Sequence, residues 1–229
     1  MYFDPMYLLF VAIPGMLLIG WAQFQVKGTY QKYAQVESSL GMTGKQVAEA
    51  ILNKMGVQDV KVEPIPGELS DHYDPSAKAV RLSEGIYGSR SIAAATIAAH
   101  ECGHVLQDVK GYKPMNIRAS LVPAANIGSQ LGPILVIGGL VLGLSPIFVN
   151  IGIALFLAAI LFHVVTLPVE FDASNRALRI IDDLNILQGE EHKAAKKILS
   201  AAAFTYVATA ISALLQLAYY FMLSRRQEN

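Results

Sequence analysis

The chain has 229 residues, 53% of them hydrophobic and only 16% charged, and its mean hydropathy is +0.40. That balance is too apolar for an ordinary soluble domain, and a net charge of zero gives nucleic acid no electrostatic footprint. A single cysteine, Cys102, excludes an intramolecular disulfide framework.

The first apolar block, Pro5 to Val26, has no charged residue. It reaches the roughly 20 residues needed to cross a hydrocarbon core. Only Asp4 precedes it, so the basic region of a signal peptide is missing, and residues 1–26 read as a retained transmembrane anchor. Lys27 and Lys32 follow, which predicts an external N-terminus and a cytoplasmic chain from residue 27 onward.

Residues 27–118 form the longer polar segment. Thr43 and Gln46 have capping-box spacing, Gly56 is a helix stop, and Val47, Ala50, Ile51 and Met55 make an apolar stripe between them. "VQDVKVEPI" alternates and predicts a strand, "PIPGELSD" is turn-rich, and "KAVRLS" (Lys78 to Ser83) predicts a second strand. Ser91 then caps a helix running to about Val109, ended by Gly111 and Pro114.

Residues 119–169 read as a transmembrane hairpin: Ala119 to Leu144 is uncharged, and Pro146 to Val169 contains only His163 as an ionisable group. Lys110, Lys113 and Arg118 before it agree with a cytoplasmic start. Residues 170–199 are a second polar, helical segment, with a helix that continues or restarts after Pro168 and another from "GEEHKAAKK". Residues 200–229 hold a last apolar block, Ser200 to Leu223, and a tail. Arg225 and Arg226 at its outer end run against the charge rule. Backbone groups in lipid must bond internally. The expected fold is therefore mainly α: a polytopic membrane protein with about four transmembrane helices and a small α+β domain.

The chemistry sits in "HECGH". His100 and His104 are four residues apart on a predicted helix, so they share a face and can converge on one ion. Glu101 neighbours that face and can reach a metal-bound water without being a ligand. Zinc with three protein ligands lowers the pKa of that water to about 7, and a neighbouring glutamate can pass its proton to a leaving amine. Two histidines and a carboxylate favour zinc among divalent ions. The third ligand must come from elsewhere, and Glu170 and Asp172 at the end of the third span are the candidates. His163, seven residues before Glu170, is either a group behind the ligands or an interface residue. Cys102 lies about 200° around the helix from His100 and reads as a small buried residue.

"AAHECGHVLQD", the preceding "DHYDPSAKAVRLSEGIY" and the later "LPVEFDASNRAL" together resemble the YugP-like neutral zinc metallopeptidases of bacterial membranes. The order of HExxH helix, membrane hairpin and "EF-x-A" more distantly resembles HtpX-type and CAAX-processing proteases. The resemblance implies a zincin-like region over 27–118, one zinc ion held by His100, His104 and Glu170, and Glu101 as catalytic base. Where the HtpX-type pattern has an Asp four residues after the ligand Glu, this chain has Ser174, and Asp172 is the alternative ligand. "KAVRLS" is either an edge strand that pairs with extended substrate or a strand paired within its own sheet. His72, Tyr73, Tyr87 and Arg176 are candidate donors to the transition-state oxygen.

The implied function is a zinc metalloendopeptidase of the cell membrane, with its catalytic region on the cytoplasmic side. Its partners would be the lipid bilayer and membrane-associated polypeptide substrates, with no nucleic acid. The alternative is a zinc-stabilised membrane scaffold or chaperone-like protein without proteolytic activity. A site-2-type protease needs an LDG-type motif within a span, and here Asp172 is followed by Ala173.

Overall fold

A computed structural model describes residues 4–228. The fold is mainly helical with one small mixed sheet. The elements run α1 (Pro5–Tyr7), a π-helical turn (Leu8–Ala12), α2 (Ile13–Ala34), α3 (Gly44–Lys54), β1 (Lys61–Ile65), β2 (His72–Asp74), β3 (Ala79–Ser83), α4 (Glu84–Tyr87), α5 (Ile92–Val109), α6 (Lys113–Val141), α7 (Pro146–Asp183) and α8 (Glu190–Glu228). Among the described residues, four helical runs are long and apolar enough to cross a membrane: Pro5–Ala34, Lys113–Val141, Pro146–Asp183 and Glu190–Arg225. Leu17, Ile134, Val141 and Ile151 on them are exposed. Side chains of that kind in contiguous display mark a surface meant for lipid or a partner.

The chain divides into two compact units. The first comprises the chain up to Gln23, Lys113–Pro168, and the chain from Phe204. Its core is Val136, Val149, Ile153, Phe156, Ile160 and Tyr220. Helices without a hydrophobic drive between them associate through small residues that admit close backbone approach. Here a Cβ added at Gly128 would strike the Leu155 carbonyl, and one at Gly132 would lie 2.9 Å from the Gly152 oxygen. Polar side chains are tied across helices, as Ser224 Oγ to Asn150 Oδ1 (3.0 Å) and the Tyr7 hydroxyl to Gln216 Oε1 (3.0 Å).

The second unit comprises Phe24–Tyr112 and Val169–Ala203. Thr43 and Gln46 close both bonds of a capping box on α3, and Gly56, at φ +72°, turns the chain out of the helix. Ser91 accepts the Ala94 amide and starts α5. Helix α5 is rich in alanine: Ala93, Ala94, Ala95, Ala98 and Ala99 are all fully buried. Small side chains let α3 and the sheet pack close to its axis.

The sheet order is β1-β3-β2, with β1 parallel and β2 antiparallel to β3. This corrects the edge-strand reading of "KAVRLS". That segment is the central strand and spends its backbone groups on both neighbours, so an extended substrate has no free edge there. The strand β2 was not foreseen in "HYD" and occupies one edge. One helix boundary extends past the apolar block that suggested it. Helix α6 begins at Lys113 rather than Ala119, because the chain turns at Gly111 (φ +61°). Pro114 then falls in the first turn, where a missing amide costs nothing. Of the two options at Pro168, the helix continues through it.

Candidate metal centre

Helix α5 carries His100, Glu101 and His104, and the part of α7 in the same unit carries Glu170. The histidine rings stand nearly perpendicular (83°), with centroids 4.8 Å apart. Glu170 Oε2 lies 3.4 Å from His100 Nε2 and 3.6 Å from His104 Nε2. One donor atom from each residue fits within a span of 4.8 Å. Glu170 is buried, and so are Glu101 and His104.

These separations bear on two uses of the cluster. A histidine–carboxylate hydrogen bond would close to about 2.7–2.9 Å. Two donor atoms on a tetrahedral zinc, each about 2.0–2.1 Å from it, stand roughly 3.3 Å apart. The observed 3.4 and 3.6 Å match the second figure. A buried polar group without a partner points the same way: among the described residues, Glu101 Oε2 is buried and unbonded.

The family comparison agrees with this geometry. A family described as "Putative neutral zinc metallopeptidase" matches residues 7–225. The chain belongs to this zinc metallopeptidase family. It is 45% identical over 226 residues to "Putative membrane protease YugP" of Bacillus subtilis (strain 168), which covers 98% of this chain and 100% of that protein. No solved structure matches the chain.

Within this zinc metallopeptidase, the His100, His104 and Glu170 cluster is consistent with a zinc site. Burial pushes the Glu101 carboxyl above its ordinary range; the two histidines pull against it, while Glu170 and Asp71 add to it. The carboxylate is therefore a stronger proton acceptor than one in water. Burial pulls the His104 imidazole down, but Glu170 and Glu101 outweigh it and the net direction is up. Asp71 accepts the Ser83 amide and hydroxyl (2.7 and 3.0 Å), and burial raises it as well.

Asp172 stands apart from the cluster. Its carboxylate accepts from Arg176 Nε (2.5 Å) and from the Gln107 amide (2.8 Å). Two residues along a helix is about 200°, so it faces away from Glu170. His163 belongs to the other unit, with its ring edge-on to Phe162. Each of the four candidate oxygen donors has a partner of its own. His72 Nδ1 bonds the Ser70 carbonyl (2.8 Å), the Tyr73 hydroxyl donates to Asp108 (2.7 Å), Tyr87 has the Lys45 ammonium over its ring (5.5 Å), and Arg176 holds Asp172. Cys102 is buried against α3, its thiol 3.8 Å from the Ala48 carbonyl, and burial raises its pKa.

Gly103 is a site residue in a steric sense. A Cβ there would lie 2.5 Å from the Ala173 carbonyl oxygen, and real Cβ atoms essentially never come so near. The missing side chain is what lets the helix of Glu170 approach the helix of the histidines. Gly103→Ala should gain up to about 1 kcal/mol of helix propensity and lose more, about 1–3 kcal/mol, to overpacking. The expected result is a lower Tm together with weaker zinc retention. A variant as stable and as zinc-replete as the wild type would show that the contact relaxes freely.

Proposed function

We propose that this chain is a membrane-embedded zinc metalloendopeptidase that cuts membrane or membrane-proximal polypeptides. His100, His104 and Glu170 hold the ion, and Glu101 is the general base. The observation that carries the reading is the convergence of three ligand atoms within 4.8 Å beside a buried, unbonded Glu101 oxygen. When bound, zinc supplies Lewis acidity at an open position, lowering the pKa of water there to about 7.

The protein residues supply the rest. The two imidazoles and the carboxylate would hold the ion, one donor atom from each. Glu101 lies beside them, holds a free carboxylate oxygen, and is made more basic by its burial. It accepts the proton of the attacking water and returns it to the leaving amine. That transfer is worth about 10²–10⁴-fold in rate. The alanine-rich, buried turns of α5 exclude bulk water from the inner side of the site.

The test is zinc content and cleavage of casein or a membrane peptide by detergent-purified protein, wild type against Glu101→Gln. The relative's printed name, a membrane protease, and the four candidate spans support a bilayer location. The basic residues Lys27, Lys32, Lys110 and Lys113 support a cytoplasmic catalytic region. In membrane vesicles, added protease should cut residues 27–112 in inverted preparations and spare them in right-side-out ones. The reverse pattern would overturn the sidedness.

A further inference from the structure

Among the described residues, Gln107 is the one fully buried glutamine, and it sits three residues after His104, on the same face of α5. Its amide nitrogen donates to the Val169 carbonyl (2.8 Å) and to Asp172 Oδ2 (2.8 Å). Its oxygen lies 3.0 Å from His104 Nδ1.

The direction of this amide is decided by its surroundings. A carbonyl and an ionised carboxylate only accept hydrogen bonds. Asp172 is kept as an acceptor by Arg176, whose Nε donates to the same oxygen. Turning the amide over would put its oxygen against two acceptors. The nitrogen must therefore face Val169 and Asp172, and the oxygen must face His104. An amide oxygen cannot donate, so His104 Nδ1 carries the proton. That leaves the Nε2 lone pair directed at the cluster, where Glu170 Oε2 is 3.6 Å away. His100 has no such constraint: its Nδ1 is 3.4 Å from Ser174 Oγ, and a hydroxyl can donate or accept.

We infer that Gln107 is a positioning residue that holds His104 in the tautomer a metal ligand needs, and that the Arg176–Asp172 pair acts through it by fixing the direction of its amide. The inference rests on the zinc-site reading above. A ligand histidine ordinarily depends on such an outer partner, and losing it typically costs about 10- to 100-fold in metal affinity.

The test uses the full chain in detergent and two readouts. The first is zinc affinity by chelator competition. Gln107→Leu should weaken zinc about 10- to 100-fold. Gln107→Glu should also weaken it, because a second carboxylate then faces Asp172. The pair Gln107→Glu with Asp172→Asn restores one donor opposite one acceptor, and should recover most of the loss. A space-filling role would not be rescued by that exchange. The second readout needs no metal. In ¹⁵N-histidine spectra at an alkaline pH where the His104 ring is observed to be neutral, His104 should carry its proton on Nδ1 in the wild type and lose that preference in Gln107→Leu. Unchanged zinc affinity in Gln107→Leu, no recovery in the double variant, or an Nε2-protonated His104 in the wild type would each overturn the inference. Absence of zinc from the wild type would instead overturn the site reading, and the spectra would still decide the role of Gln107.

Discussion

Glu101→Gln should slow peptide hydrolysis by orders of magnitude, about 10²–10⁴-fold, and leave zinc in place. The change removes one basic oxygen and keeps the size of a side chain that is 5% exposed. None of the three clustered donor atoms is touched, because they come from His100, His104 and Glu170. The amide cannot take a proton from water at neutral pH, so the contribution of the general base is lost. A fall of about 10²–10⁴-fold in cleavage is expected. Folding should not suffer, since a buried carboxylate is costly to keep charged and an amide is less so. The thermal midpoint of the zinc-loaded variant should therefore match or exceed that of the wild type. Equal cleavage by both proteins, each with stoichiometric zinc, would sink the proposed mechanism. A protein that retains zinc, cleaves nothing in either form and still functions as Glu101→Gln would be the zinc-stabilised scaffold instead.

What was legible in the sequence follows the range of the interactions. The Thr43–Gln46 capping box, the Gly56 stop and the Ser91 cap are contacts over three or four residues, and the sequence spells them out. The order of strands is different. Nothing local in "HYD" marks a strand. Three residues become β2 because they pair with Ala79, Val80 and Arg81, and because the Tyr73 hydroxyl is anchored by Asp108. The same long-range pairing turns "KAVRLS" from a candidate edge into the middle of the sheet.

The metal centre divides in the same way. His100 and His104 could be paired from their spacing alone, whereas the choice of Glu170 over Asp172 rested on the family resemblance. Gly103 fills a variable place in the motif, and its need to be glycine appears only when the Ala173 carbonyl is set against it. Gln107 was overlooked although a signal existed: a polar residue one turn beyond a ligand, on the same face of an otherwise apolar helix.

Glu170→Ala should release zinc, whereas Asp172→Ala should retain it with reduced affinity. The two carboxylates are two residues apart, but the helix turns them to different tasks. Glu170 presents one oxygen to both imidazole nitrogens at 3.4 and 3.6 Å. Asp172 presents its oxygen to Arg176 and Gln107, and holds the cluster only through that amide. Losing an outer partner costs about 10- to 100-fold in affinity, and removal of a direct ligand should cost more than that. The metal-free Glu170→Ala protein should lose some stability, because two imidazoles lose the carboxylate they face and a cavity is left behind, so zinc content is compared at a temperature where both proteins remain folded. Loss of zinc without loss of fold would then assign the defect to coordination. If Glu170→Ala keeps stoichiometric zinc and Asp172→Ala loses it, the third ligand is Asp172. The helix would then have to rotate by nearly half a turn from the arrangement seen here, carrying Ala173 away from Gly103. That rotation would release the close contact at Gly103, so Gly103→Ala should then be well tolerated. The two variants therefore test one arrangement from opposite sides: a ligand that needs the helices close, and a glycine that permits it.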